Sequence, residues 1–294
     1  MKLKNLRNAL TKERAKDAAF LSPSFIGLCV FFVLPFIVVI YYSLIDNPIG
    51  ANFVFLDNFI SVLKNSAFQQ AARNTFTFAV VCVPLAVLLS LMLALLLDGN
   101  VFFASQFRTF FLSPMMVPVA SIVLIWQVLF HYNGAVNEWL SVFGVAKIDW
   151  MKSDYNQLVV ILLFLWKNLG YNMILFMAAL SNVPKDMLEA ATIDGAGAFG
   201  KFWYIKLRYI SSTMLFVAIL SLINTFKVFR EVYLLTGDYP YQGLYMLQHY
   251  MNNTFRSLDY QKLSAAAIIM AIVMIAIIGV LFIVENRFGK DVEG

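Results

Sequence analysis

Six stretches of this chain are apolar enough, and long enough, to cross a lipid bilayer as helices. They run 20–44, 75–97, 109–130, 157–180, 214–235 and 263–284, and a crossing takes about 20 helical residues. With 61% hydrophobic and 13% charged residues among 294, a soluble domain would lack the polar surface to cover itself. The expected fold class is therefore all-α, a polytopic membrane protein. Residues 1–19 form a basic segment, 20–284 the membrane domain, and 285–294 a short tail. The run at 20–44 is too long for a cleaved secretory signal and lacks a small-residue cleavage pattern, so a retained signal anchor is expected.

Basic residues orient the helices. If the N-terminus is cytoplasmic, the inner pieces hold 13 of the 22 Lys and Arg residues, the outer pieces 6, and the spans 3. Both termini and the 181–210 loop are then expected to face the cytoplasm. The net charge of +5 reads as a topology signal, and no nucleic-acid partner is expected. The first 19 residues suit either a basic amphipathic helix on the headgroups or a solvated tail.

The loop at 181–210 carries the most pattern. Pro184 suits the first turn of a helix, with Met187, Leu188 and Ala191 on one side of it. Gly195 stands where a left-handed residue would end that helix. Phe199, Phe202 and Trp203 then form a second apolar stripe, so the spacing predicts helix, glycine turn, helix. Two short amphipathic helices outside the bilayer have no core of their own to fill, which calls for a partner.

This loop resembles the cytoplasmic signature of inner-membrane permease subunits from binding-protein-dependent ATP-binding-cassette importers. The pattern is Glu-Ala-Ala, three residues, Gly, nine residues, Ile-x-Leu-Pro. Glu189-Ala190-Ala191, Gly195, Ile205 and Leu207 match it, with Asp194 beside the glycine, and Arg208 stands where the family has proline. The resemblance implies a six-helix type I importer fold, with a loop helix seated in a cleft of an ATPase subunit. ATP and Mg²⁺ would be bound by that partner, with no cofactor in this chain.

The fourth apolar run contains Trp166-Lys167-Asn168-Leu169-Gly170-Tyr171-Asn172. Polar groups at that depth are costly and often functional. Asn168 and Asn172 lie one turn apart. They could line a wet passage, with Trp166 and Tyr171 stacking on a sugar ring, or they could bond neighbouring helices together. In the fifth run, Lys227 and Glu231 are spaced to pair along one helix. The stretch from Phe226 to Pro240 resembles a segment of the sugar-transporting branch of the same family. Phe226, Val228, Phe229, Tyr233, Leu235, Thr236, Gly237 and Pro240 match, while Arg230 replaces the usual Asp and Asp238 the usual Gly.

Other patterns are set aside. Gly195 to Lys201 fits the opening of a phosphate-binding loop, but Phe202 occupies the place of the magnesium-binding Ser or Thr, and a helix precedes it. Cys29 and Cys82 both fall inside apolar runs, so no disulfide framework is indicated. His131 and His249 are expected at the external membrane edge. No catalytic constellation or metal site stands out. The resemblance thus implies the permease subunit of a carbohydrate importer in a bacterial or archaeal cytoplasmic membrane. Its partners would be a second homologous permease subunit, two ATPase subunits and an extracytoplasmic sugar-binding protein. An importer for glycerol phosphate or a polyamine, and a secondary transporter, are the alternatives.

Overall fold

The computed structural model describes residues 16–99 and 102–289, with side chains through Arg287. The expectation for residues 1–15, and that for 290–294, lie outside the described residues. Among the described residues the secondary structure is helical apart from a single antiparallel bridge between Ile45 and Phe53. Five helices are long and apolar enough to cross a membrane, and a bent pair of helices makes a sixth candidate.

The chain divides into two compact units. The first joins the residues up to Leu63 with Thr254–Ala271. Its helix α1, Lys16–Ser43, contains a wide π turn at Cys29–Val33. Pro35 lies just beyond that turn. A proline within a helix removes one i→i−4 bond and crowds the carbonyl four residues back, and a local π turn is one way a helix absorbs this. No residue of the π turn is buried. After α1 the chain turns back on itself, and the side-chain amide of Asn58 donates to the carbonyls of Ser43 at 3.0 Å and Ile45 at 2.8 Å. Asn58 belongs to α2, Asp57–Lys64.

The second unit, Lys64–Asn253 with Ile272–Gly294, is a helical bundle. Helix α3 spans Ser66–Leu97 and begins nine residues before the sequence suggested. The Asn65 side chain caps it, accepting from the backbone amides of Ala67 and Phe68, which satisfies two otherwise orphaned donors. At about 1.5 Å per residue the helix is roughly 48 Å long, well beyond a hydrocarbon core of about 30 Å. The excess has work to do. Asn74 donates to the carbonyls of Gln242 and Tyr245, and Thr75 accepts from the amide of Leu247.

The third apolar run is not one straight helix. Helices α4, Ala104–Met116, and α5, Val119–Leu129, meet at 100°. Pro118 causes the break. The residue before a proline is forced out of the helical region, and Val117 is extended at φ −82°, ψ 134°. Pro114, inside α4, produces no such break. Beyond α5 a short helix α6, Ala135–Ser141, is held by Asn137, which is fully buried. Its amide donates to the carbonyls of Tyr132 and Ile148, and its oxygen accepts from the Ile148 amide and the Trp150 indole.

Helix α7, Asn156–Ser181, runs through the middle of the bundle. Phe164 meets Phe78 of α3 edge to face at 5.6 Å, an arrangement aromatic quadrupoles favour. On another face, Gly170 lets the backbone of α4 approach. A Cβ at Gly170 would lie 1.9 Å from the carbonyl oxygen of Phe111. Gly170→Ala is therefore expected to force α4 and α7 apart and destabilise the bundle by about 1–3 kcal/mol or more. A drop in melting temperature of the purified protein would show this. An unchanged melting temperature would mean the helices separate freely there.

Candidate functional site: a membrane polar ladder and an exposed loop

The 181–210 loop has the helix, turn, helix form. Helix α8, Lys185–Ile193, follows Pro184, which is its N-cap, one residue earlier than the first-turn position expected of it. Gly195 closes it at φ +82°. The amide of Ala196 donates to the Ala191 carbonyl at 2.8 Å, and that of Gly195 to the Thr192 carbonyl at 3.1 Å. These are the two bonds of a Schellman motif, whose left-handed residue is most often glycine. That explains the spacing from Ala191 to Gly195 physically. The glycine sits four residues on because the motif requires it there.

The chain resumes as α9, residues 198–209, which includes a π turn at Phe202–Lys206. Ile205 and Leu207 are half-buried in it, and Arg208 lies in its last turn. Val183 and Ile210, at the loop's two ends, are buried. Ile210 packs with Phe176, Leu180 and Val217. Lys206 adds an ion pair to Asp98, at the end of α3, at 2.8 Å. Between these anchors the surface is open. Glu189, Ala190, Thr192 and Asp194 are exposed, and so are Ile193 at 87% and Phe199 at 78%. Phe199 and Trp203 stack at 6.1 Å. The loop is thus fixed at its base and presents an apolar, unpacked tip.

The second feature lies between α7 and the fifth apolar run, which forms α10, Ser211–Lys227, and α11, Phe229–Thr236. Three polar pairs cross that interface in antiparallel register. Asn172 donates to the hydroxyl of Ser221 at 3.0 Å. The amide of Asn224 donates to the side-chain oxygen of Asn168 at 2.9 Å, while Asn168 donates to the Phe164 carbonyl. Lys167 pairs with Glu231. Asn172 is 1% exposed and joins the two helices. Trp166, which is partly exposed, packs 5.2 Å from Trp126 of the bent α5. Asn168, Tyr171 and Phe226 are half-buried, and Lys227 is exposed.

The expected pairing of Lys227 with Glu231 is not formed. The helix is interrupted at Val228, so Lys227 and Glu231 belong to different segments. Glu231 is buried instead against Lys167, and its second carboxylate oxygen has no hydrogen-bond partner. Buried charges require such pairing, because desolvating an isolated carboxylate is costly. The α7 side of the ladder was expected from sequence; Ser221 and Asn224 opposite were not, and Glu231 was expected to pair with Lys227 rather than Lys167. The signal for the first two was present. Ser221 and Asn224 are three apart on a helix, matching the four-residue step from Asn168 to Asn172 across an antiparallel pair.

His249, expected at an external membrane edge, is enclosed by protein. It is fully buried on helix α12, Leu247–Arg256, with Phe229 edge-on at 4.7 Å. Its Nδ1 accepts from the Met246 amide. Burial pushes its pKa down to about 4, so it is a neutral packing residue. His131 is exposed. The glycine-rich stretch from Gly195 to Lys201 is the turn between α8 and α9, with no strand before it.

Similarity to known proteins agrees with this architecture. The chain is 28% identical over 270 residues to the lactose transport system permease protein LacF of Rhizobium radiobacter, covering 89% of this chain and 91% of that one. It is 29% identical over 282 residues to the sn-glycerol-3-phosphate transport system permease protein UgpA of Escherichia coli O6:K15:H31, covering 93% and 92%. A subunit of a bacterial ABC transporter involved in the import of the acidic polysaccharide alginate superposes with a TM-score of 0.82. That superposition covers 96% of this chain and 99% of the other at 20% identity, so the fold is that of the type I importer permeases. Residues 86–294 match one family throughout, and the chain belongs to it: it is a binding-protein-dependent transport system inner membrane component.

Proposed function

We propose that this chain is the membrane subunit of an ATP-driven carbohydrate importer and forms half of the translocation pathway. The other half would come from a second, homologous permease subunit. Two ATPase subunits, which would bind ATP and Mg²⁺, seat on the 181–210 loops, and an extracytoplasmic binding protein delivers the sugar. The observation that carries this reading is the loop. Its base is anchored at Val183 and Ile210, and its glycine-terminated helix exposes Glu189 and Ala190 with no packing of their own. Movement of an ATPase cleft would reach the bundle through Ile210 and the Lys206–Asp98 pair. The pathway would be lined from Trp166, Asn168, Tyr171, Phe226 and Lys227. Asn172 would hold α7 to α10 beside it. ATP binding then shifts a population between inward- and outward-open states that already exist.

The lactose relative and the match to the sugar-branch pattern over Phe226 to Pro240 support carbohydrate as the substrate class. Glycerol phosphate is the competing reading within the family, supported by the E. coli relative. The test is uptake of labelled maltose, lactose and glycerol 3-phosphate into vesicles holding the assembled complex. The expected result is sugar uptake that requires both internal ATP and the external binding protein. Sugar uptake without ATP would sink the proposal, and uptake of glycerol phosphate alone would reassign the substrate.

Membrane orientation supplies a further expected outcome, motivated by the basic-residue asymmetry. Single cysteines at Ala198 and at Val142, both exposed, are placed in a background lacking Cys29 and Cys82. An impermeant thiol reagent on intact cells should label the Val142 position and spare Ala198. The reverse pattern would invert the topology.

A further inference from the structure

We infer that the carbohydrate moved by this chain is an anionic one, and that Lys227 and Arg230 hold its negative charge within the membrane. The inference rests on the importer reading above and adds the charge of the substrate to it.

The segment 227–234 has two sides. Val228, Glu231 and Val232 are buried, with Val228 and Val232 packed among Phe78 of α3 and Val160 and Phe164 of α7. Lys227, Arg230 and Leu234 alternate with them at helical spacing and are exposed. Neither Lys227 nor Arg230 makes a hydrogen bond or ion pair with any described residue. Both stand beside the ladder, since Asn224, three residues before Lys227, bonds Asn168.

Their depth follows from α7. Glu231 pairs with Lys167, which lies about 17 Å from the Asn156 end of α7 and about 21 Å from the Ser181 end, at roughly 1.5 Å per residue. Lys227 and Arg230 are within about 6 Å of that level along their own segment. Near mid-bilayer the headgroups are about 15 Å away in either direction, too far for a side chain to snorkel. A cation exposed there faces water inside the bundle, because hydrocarbon would not admit it.

The charge at this level does not cancel. Glu231 is the sole carboxylate in α3, α4, α5, α7, α10 and α11, and Lys167 neutralises it. Lys227 and Arg230 are left as two uncompensated positive charges, and the remaining charged residues of these helices, Arg73 and Arg108, are cations too. A water-filled passage with apolar walls focuses such a field, concentrating anions and repelling a polyamine. Arginine's planar fork matches a carboxylate or a phosphate with paired hydrogen bonds. A neutral sugar would leave both cations without a partner.

Two measurements on the assembled transporter in vesicles test this. In the first, Lys227→Cys is made in a background lacking Cys29 and Cys82. Its rates of modification by an anionic sulfonate thiol reagent and by a cationic ammonium reagent are each normalised to free cysteine. The anionic reagent should react faster. Adding Arg230→Gln should lower that advantage about fivefold, the weight of one charge roughly 8 Å away through an effective dielectric of about 40. In the second, ATP-dependent uptake of trigalacturonate, maltotriose and glycerol 3-phosphate is compared, the first and last separating a carboxylate from a phosphate. An anionic solute should be carried, and Arg230→Gln should cut its uptake about tenfold, the weight of one charged hydrogen bond. If no solute of the three is carried, the thiol measurement alone decides. A cysteine that neither reagent reaches, as when a second subunit covers it, or that both modify equally, overturns the inference. Full uptake of maltotriose by the Lys227→Gln, Arg230→Gln double variant also overturns it and leaves the carbohydrate-importer reading standing. Glycerol 3-phosphate uptake that falls in Arg230→Gln upholds the anion site and overturns the carbohydrate reading instead.

Discussion

Gly195→Val is expected to abolish uptake while leaving the membrane bundle folded. Gly195 has φ +82°, and no atom lies within 4 Å of where a Cβ would be placed. The damage is thus conformational and local. A side chain in the left-handed region costs roughly 1–2 kcal/mol, and a β-branched one is a genuine outlier there. Relieving that strain means breaking the Ala196-to-Ala191 and Gly195-to-Thr192 bonds, which redirects α9 relative to α8. The exposed faces around Glu189 and Ile193 would then no longer match one cleft. Gly195→Asn should keep part of the uptake, because asparagine tolerates this conformation better than other non-glycine residues. Glu189→Lys, on an exposed helix face, should lose uptake with no loss of stability. Uptake in cells is read beside co-purification of the ATPase from detergent extracts. Normal transport by Gly195→Val with the ATPase attached would reduce the loop to a connector.

Lys167→Met is expected to be the most destabilising single change in the membrane domain, at about 3–5 kcal/mol. Removing one partner of a buried pair strands the other charge, and that is what makes such changes severe. Glu231 is 5% exposed and already has one oxygen without a partner. The double change Lys167→Met with Glu231→Leu should restore most of the stability, because replacing both charges by apolar groups is often neutral. Melting of the purified protein, followed by size-exclusion chromatography, provides the measurement. If Lys167→Met melts with the wild type, Glu231 has another way to be satisfied, and the ladder is not held by this pair.

The extent to which this could be read from sequence differs by element. Apolar runs identify spans because lipid selects composition directly, and all six runs correspond to helices or, for 109–130, to a bent pair. The Gly195 turn was legible because a left-handed position at a helix end leaves a glycine as its trace. The 100° break was half-legible. Pro114 and Pro118 were both visible, but only Pro118 breaks the path, which depends on what packs around each. The start of α3 at Ser66 was not legible, since its polar first turns are held by distant contacts, the bonds of Asn74 and Thr75 to the Gln242–Leu247 segment, as well as by the local Asn65 cap. Local spacing favoured Lys227 as the partner of Glu231. The interruption at Val228 and the register of α7 decided for Lys167, and neither is encoded in i to i+4 spacing. For the same reason Asn172 could not be assigned from its position alone, and the structure places it against Ser221.

The central claim is that the loop tip delivers ATP-driven motion to the bundle, and crosslinking tests it most directly. A cysteine at Ile193, the most exposed large apolar residue of α8, is placed in a background lacking Cys29 and Cys82. It is then treated with a short bifunctional thiol reagent in membranes containing the whole transporter. The account predicts a crosslink from Ile193 to the ATPase subunit whose yield changes when ATP is bound, and none from a control cysteine at Val142. Sustained ATP-dependent uptake, with no crosslink from Ile193 to any ATP-binding protein in either nucleotide state, would contradict it.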